Sequence, residues 1–466
     1  MTGIADAFDR LAACAPGRPL ICAPGRAVTV AELDALAREL DRAVHGRLPS
    51  RGGLVGLAAP NGPAFLAGLL ALRRRGLTPV LLDPRAPAAE HRDRADALRA
   101  TAVLHCDDGW AGAGAWSLDP VSPLGEGPTA QGLVKLSSGS TGAPQGILAP
   151  DACLLRDDEA LRRSMGIREA DRLLAAIPFS HSYGLSSLVI PALAGGLRLV
   201  LPEPGTVADP LAAAARLEAT VFPSTPAYLH ALVRRGGPGT LPATIRLVLS
   251  AGAPLAPETA RGFREATGRS VHVFYGSTEC GGICYDRRGD AAERGCVGTP
   301  VEGVTVDLEE GGDGAGRVVV RSGAVASRYH PEPSDRLRGG RFRTDDLARW
   351  EEGELRLVGR IGDWINVDGR KVNPREVESV LRQLEGVEDA AVCGVRVPER
   401  GGEILGALLV GVRWVDYERV VGWCRQRLPP HKVPRSIRWV EAIPSTGRGK
   451  VDRERVRSMM GSDGGT

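Results

Sequence analysis

Hydrophobic positions along this chain follow two rhythms that trade places from the N-terminus to residue 274. Short continuous apolar runs at Leu54–Ala58, 79–82, 102–105, Gly132–Leu136, 173–177, 197–201, 220–222, 245–249 and 271–274 read as buried strands. Between most of them the apolar residues recur at helical spacing. Leu33, Leu36, Ala37, Leu40 and Val44 share one face of a helix that opens with the capping box Thr29-x-x-Glu32. The turn Pro60-Asn61-Gly62 leads into a second helix from Pro63 to Gly76. Such alternation implies largely parallel sheets covered by helices on both faces.

Beyond Cys296 the pattern changes. Residues 304–308, Gly316–Arg321 and 354–358 read as short antiparallel strands joined by Gly/Asp turns such as Gly311-Gly312-Asp313-Gly314. A compact α+β unit follows over 363–456. Its helix opens at Asn373-Pro374-x-Glu376, with a cap, a first-turn proline and the carboxylate of a capping box. The expected division is a core over 1–360, a joint at 361–362 with Gly362 as hinge, a small domain over 363–460, and a disordered tail over 461–466.

Composition adds limits rather than a function. A chain of 466 residues exceeds one compact core, and 43% hydrophobic with 25% charged residues is ordinary for a soluble globular protein. A net charge of +3 gives no nucleic-acid or membrane signal, and Arg73-Arg74-Arg75 reads as a solvated helix end. The nine cysteines are scattered, which argues against a disulfide framework. Cys280-x3-Cys284 with Cys296 lacks a fourth ligand at metal-site spacing. Asp6, Asp9 and Arg10 break the N-terminal apolar pieces, so no signal peptide is expected there. The most apolar stretch, 185–201, is interrupted by Pro191 and Arg198 and does not read as a membrane span. A cytoplasmic location is the expectation.

The chemistry centres on a loop after Gly132–Leu136, namely Ser137-Ser138-Gly139-Ser140-Thr141-Gly142-Ala143-Pro144-Gln145-Gly146. Glycines let successive backbone N–H groups converge on one anion, and the hydroxyls add donors that need little room. The Gly-Lys-Ser/Thr of a P-loop is missing. Six further segments follow in order: Pro178-Phe179-Ser180-His181-Ser182-Tyr183, Ser250-Ala251-Gly252-Ala253-Pro254, Phe274-Tyr275-Gly276-Ser277-Thr278-Glu279, Arg343-Thr344-Asp345-Asp346, Gly359-Arg360-Ile361-Gly362, and Pro444-Ser445-Thr446-Gly447-Arg448-Gly449-Lys450. Together these resemble the adenylate-forming superfamily of acyl-CoA synthetases, stand-alone peptide-synthetase adenylation domains and luciferases. The pattern is nearest to its aryl-acid and general carboxylic-acid activators.

The resemblance implies an α/β fold: a large N-terminal domain of helix-covered sheets with a β-barrel-like subdomain, and a small mobile C-terminal domain. It implies ATP and Mg2+ as requirements. Ser137, Ser138, Gly139, Ser140, Thr141 and Gly142 then bind phosphate, while Gly252, Ala253, Tyr275, Gly276 and Ser277 surround the nucleotide. Asp346 accepts the ribose hydroxyls and Arg360 contacts ribose or phosphate. Thr278 touches the α-phosphate and Glu279 holds the metal, a hard cation that prefers carboxylate oxygen. His181, Ser182, Phe222, Gly252, Tyr275 and Gly276 line the acyl pocket, with His181 also near the chemistry. Gly369 belongs to a turn that enters the site in the second half-reaction, and Lys450 is the catalytic cation.

Amino-acid-activating relatives carry Asp just after the His181 position, as partner to the α-ammonium. Here Ser182 and Tyr183 follow, and a buried ammonium without a counter-charge is costly, so an α-amino acid is disfavoured. Gln145, Gly362 and Asn366 stand where relatives often carry charged residues, and the last two bear on the second step. The expected reaction is activation of a carboxylic acid as acyl-AMP with pyrophosphate release, then transfer to the thiol of CoA or a separate carrier protein. The alternatives are adenylation of a non-carboxylate oxyanion such as nitrite with transfer to an aryl amine, or another amine acceptor. A catalytically silent adenylate-binding partner is disfavoured because Lys450 and Glu279 are both present.

Overall fold

The computed structural model describes residues 3–48, 52–110, 115–121, 132–136, 145–202, 210–234, 241–309, 315–362, 364–367, 370–397, 402–411, 415–445 and 451–461. The chain forms two compact units. One comprises 1–309, 317–344 and 349–356; the other comprises 310–316, 345–348 and 357–466.

In chain order the first strands are β1 Pro19–Ala23, β2 Arg26–Thr29, β3 Leu54–Ala58, β4 Thr78–Leu82, β5 Ala102–Cys106 and β6 Trp116–Pro120. They are followed by β7 Gly132–Leu136, β8 Gly146–Pro150, β9 Arg172–Leu174, β10 Arg198–Val200, β11 Val221–Ser224 and β12 Leu247–Ser250. Then come β13 Val271–Ser277, β14 Gly281–Tyr285, β15 Thr299–Pro300, β16 Thr305–Glu309, β17 Gly316–Arg321 and β18 Arg328–His330. A seven-stranded sheet has the order β18-β8-β7-β4-β3-β5-β6, and a nine-stranded sheet the order β15-β14-β13-β12-β11-β9-β10-β1-β2. Every residue of β3, β4 and β7 is buried, which is why these strands are apolar except for Thr78 and Lys135.

The helix Val30–Ala43 starts where the capping box places it. Thr29 Oγ1 accepts from Glu32 N at 3.2 Å, and Glu32 Oε2 accepts from Thr29 N at 2.7 Å. The helix Pro63–Arg74 corrects the reading of its basic end as solvated. Arg73 is buried, with an ion pair to Asp151 at 3.1 Å and a bond to Leu77 O at 2.6 Å. Arg74 pairs with Asp34 at 2.5 Å, and Arg75 with Asp41 at 2.5 Å.

Two strands of the second sheet differ from expectation. The strand expected over 173–177 ends at Leu174, after which Asn61 takes over the backbone: Nδ2 donates to Ile177 O at 2.8 Å and Oδ1 accepts from Phe179 N at 2.7 Å. The strand expected to end at 274 runs on to Ser277 and folds back as β14. The apolar stretch from 185 is helical, and Leu185–Val189 within it forms a π turn between Ser182–Gly184 and Ile190–Gly195.

Further strands are β19 Leu337–Arg338, β20 Arg341–Glu351, β21 Glu354–Arg360, β22 Ile365–Val367, β23 Arg370–Val372, β24 Val387–Val397, β25 Gly402–Gly411 and β26 Ser436–Trp439. A five-stranded sheet runs β16-β17-β20-β19, with β21 on β20. In the second unit β24 and β25 form a long antiparallel hairpin, and β26 lies parallel to β25. Helices Pro374–Arg382 and Tyr417–Arg425 supply Val377, Leu381, Val420 and Cys424 to its core. Asn373 caps the first of these, accepting from Arg375 N at 3.1 Å. Glu376, expected to complete a capping box, is bound to Lys432 at 2.7 Å.

Candidate active site

Strands β9, β11, β12 and β13 run parallel, and Gly252 follows the C-terminal end of β12 while Tyr275 and Gly276 lie near that of β13, the edge where open α/β sheets bind ligands. Phe222, expected to line the acyl pocket, lies inside β11 and packs into the core instead. Ser224 lies opposite Ser250, and Ser250 opposite Val273. Both serine hydroxyls are buried without a hydrogen-bond partner among the described residues. Two residues beyond Ser250 and Val273 come Gly252 and Tyr275. Gly252 has φ +89° with open space where a Cβ would stand, so its glycine is required by conformation rather than by crowding. Ala253 beside it is half-buried.

Tyr275, Gly276 and Ser277 end β13, and Thr278 and Glu279 form the tip of the hairpin to β14. Gly276 pairs with Gly282, and a Cβ on Gly276 would lie 2.6 Å from Gly281 O, so the two strands close only over glycine. Ser277 Oγ accepts from Glu279 N at 3.2 Å and fixes the tip. Glu279 Oε1 accepts from the Tyr329 hydroxyl at 3.0 Å. Neither Glu279 Oε2 nor the Thr278 hydroxyl has a partner among the described residues. A carboxylate oxygen and a hydroxyl on adjacent residues of the tip, both without a partner among the described residues, are hard-oxygen donors of the kind that fits Mg2+.

Behind the hairpin lies a buried ionisable group that sequence reasoning did not single out. Asp157, on the helix Asp151–Met165, accepts from Gly282 N at 2.9 Å and from Ser186 Oγ at 2.7 Å. Gly281, at φ +67°, has no room for a Cβ against the same carboxylate. Burial pushes the Asp157 carboxyl up, opposed by these two bonds and by the charge of Lys135. Burial pushes the Lys135 ammonium down, opposed by Asp157 and Glu279. A lysine inside the otherwise apolar run of β7 was the one signal available in the sequence. Cys280 is buried and its thiol is pushed up to about 12, chiefly by burial, so it stays protonated.

His181 Nδ1 accepts from Tyr183 N at 3.2 Å, so His181 caps the helix that begins at Ser182. Ser182 is half-buried, and Tyr183 is buried with its ring 5.8 Å from that of Phe274. Phe222 is wholly buried in the core, edge-on to Tyr228 with Leu229, Val248 and Phe263 around it. In the second unit Arg360 Nε lies 3.0 Å from Asp346 Oδ1. Gly362 has open space around a notional Cβ and no left-handed φ, so its backbone makes no demand for glycine. Ser137, Ser138, Gly139, Ser140, Thr141, Gly142, Gly369 and Lys450 lie outside the described residues.

Comparison with known proteins decides the family. Residues 8–128 and 133–330 match the AMP-binding enzyme family, and 376–450 match the AMP-binding enzyme C-terminal domain. The chain belongs to the adenylate-forming superfamily of AMP-binding enzymes. It is therefore an AMP-forming ligase with the α/β architecture and separate small domain of that superfamily. Feruloyl-CoA synthase of an Amycolatopsis species is 29% identical over 97% of this chain and 98% of its own length. Isonitrile lipopeptide synthase of Streptomyces coeruleorubidus is 28% identical over 93% of this chain, which spans only 32% of that protein. Among solved structures, amide bond synthetase McbA from Marinactinospora thermotolerans aligns with a TM-score of 0.82 at 26% identity, covering 98% of this chain and all of that one. No helix among the described residues is long and apolar enough to cross a membrane.

Proposed function

We propose that this AMP-binding enzyme activates a carboxylic acid other than an α-amino acid, using ATP and Mg2+, and passes the acyl group to the thiol of CoA or of a carrier protein. The observation that carries the reading is the β13–β14 tip, where one oxygen of Glu279 is held by Tyr329, the other has no partner among the described residues, and Thr278 is the adjacent residue. Glu279 Oε2 and Thr278 would hold the cation, which supplies charge neutralisation for the triphosphate. Tyr275 and Gly252 border the place for a flat base, and Asp346 with Arg360 serves the ribose. The buried aromatic pair Tyr183 and Phe274, with Ser182 rather than a carboxylate following His181 in the sequence, supports an uncharged acyl tail. In-line attack by the acid on the α-phosphorus needs orientation above all. Lys450 supplies the cation for the developing charge, worth about 3–4 kcal/mol by analogy with one oxyanion donor.

A second reading keeps the adenylation and replaces the thiol by an amine; the likeness to an amide bond synthetase supports it. Pyrophosphate exchange across aryl, short-chain and long-chain acids and nitrite, with CoA and with amines offered as acceptors, separates the two. Glu279→Gln and Lys450→Ala are each expected to lower exchange by about two to three orders of magnitude. Exchange at the wild-type rate in Lys450→Ala would refute the assignment.

A further inference from the structure

Glu279 is gripped twice by one short segment of the chain. Ala326 N donates to Glu279 O at 2.8 Å, and the Tyr329 hydroxyl donates to Glu279 Oε1 at 3.0 Å. Tyr329 lies on β18 opposite Ile147 of β8, and Ile147 lies opposite Lys135 of β7. Directly opposed residues of antiparallel strands share a face, so Lys135, Ile147 and Tyr329 make one transverse row. All three are buried, at 3%, 0% and 6% exposure. The hydroxyl of Tyr329 is thus delivered from a point fixed by the sheet rather than by a loop.

A glutamate at a hairpin tip otherwise has three rotatable bonds, and ordering them costs free energy each time a cation binds. With Oε1 occupied by a fixed donor, that ordering is complete before the ligand arrives. We propose that Tyr329 is a positioning residue for the divalent-cation ligand, holding one oxygen of Glu279 so that the other is presented to a nucleotide-bound cation. The inference rests on the metal role given to Glu279 under the proposed function.

The test is calorimetric binding of α,β-methylene-ATP to the full chain, with Mg2+ and with EDTA, for wild type, Tyr329→Phe, Glu279→Gln and the double variant. Tyr329→Phe keeps the ring and removes one oxygen, and circular dichroism checks its fold. It is expected to leave affinity in EDTA unchanged while cutting the gain from Mg2+ about tenfold, the equivalent of one freed glutamate side chain. In the Glu279→Gln background the second substitution is expected to add nothing. Equal losses with and without Mg2+ indicate a merely structural tyrosine and overturn the proposal, as does an unchanged or larger Mg2+ gain. Should Mg2+ add nothing to wild-type affinity, the metal role of Glu279 falls and this inference with it. A wild-type gain that Tyr329→Phe retains sinks the inference alone.

Discussion

Asp157 offers the sharpest test of how the hairpin is held. Its carboxylate accepts from Gly282 N at 2.9 Å and Ser186 Oγ at 2.7 Å, all inside the core. Replacement by alanine leaves two buried donors without an acceptor, at about 1–3 kcal/mol each. Part of that loss is offset because burial already disfavours the ionised carboxyl, so the net expected cost is about 2–4 kcal/mol. Asparagine keeps an acceptor oxygen for Gly282 N and lets the Ser186 hydroxyl reorient, and it is expected to cost less than about 1 kcal/mol. Urea unfolding measures the two costs, and amide exchange over 275–285 reports whether the hairpin loosens. Pyrophosphate exchange in Asp157→Ala is expected to fall about ten- to a hundredfold through misplacement of Thr278 and Glu279. Equal stability of the two variants, or unaltered hairpin exchange in the alanine variant, would show that the carboxylate does not anchor the site.

Two further variants probe neighbouring groups. Burial, only partly opposed by Arg162, raises the Asp158 carboxyl from 3.8 to about 6, so the folded state binds more protons than the unfolded between those values. Stability therefore falls as pH rises through that window and the full penalty applies above it. Asp158→Asn is expected to gain up to about 3 kcal/mol at pH 8 and little at pH 4; no gain at pH 8 in denaturant titrations contradicts the burial argument. Asn61→Ala removes the amide that holds Ile177 O and Phe179 N, at an expected cost of about 1–3 kcal/mol. Because that segment runs into His181, KM for the acid is expected to rise more than KM for ATP, and equal rises in steady-state kinetics would disconnect Asn61 from the acyl side.

What the sequence revealed was what local chemistry decides. The capping box at Thr29 and Glu32 needs only residues within three positions, and it forms as written. Arg73 to Arg75 were misread as solvated because their partners, Asp151, Asp34 and Asp41, are distant in the chain. Glu376 had the right spacing for a cap, yet Lys432 holds it instead. The extension of β13 and its return as β14 were missed because Gly276, Gly281 and Gly282 argue against a strand. Each of them lacks room for a Cβ for its own reason: Gly276 against Gly281 O of the facing strand, Gly281 against the Asp157 carboxylate, and Gly282 against Leu161. Thr278 and Glu279 were visible as a motif, whereas their supports were not. Tyr329 is 50 positions from Glu279, and Asp157 is 125 from Gly282. No window of sequence holds both ends of such bonds.

The π turn at Leu185–Val189 sets how this helical segment tolerates change in length. A π turn accommodates one residue more than the α-helix around it, and removing a residue there returns the backbone to regular coiling without displacing either flank. A single-residue deletion is therefore the alteration this segment absorbs most cheaply. It would also swing Ser186 around the axis by about 100° and away from Asp157, so shortening the segment carries its own retuning of the hairpin that Asp157 anchors.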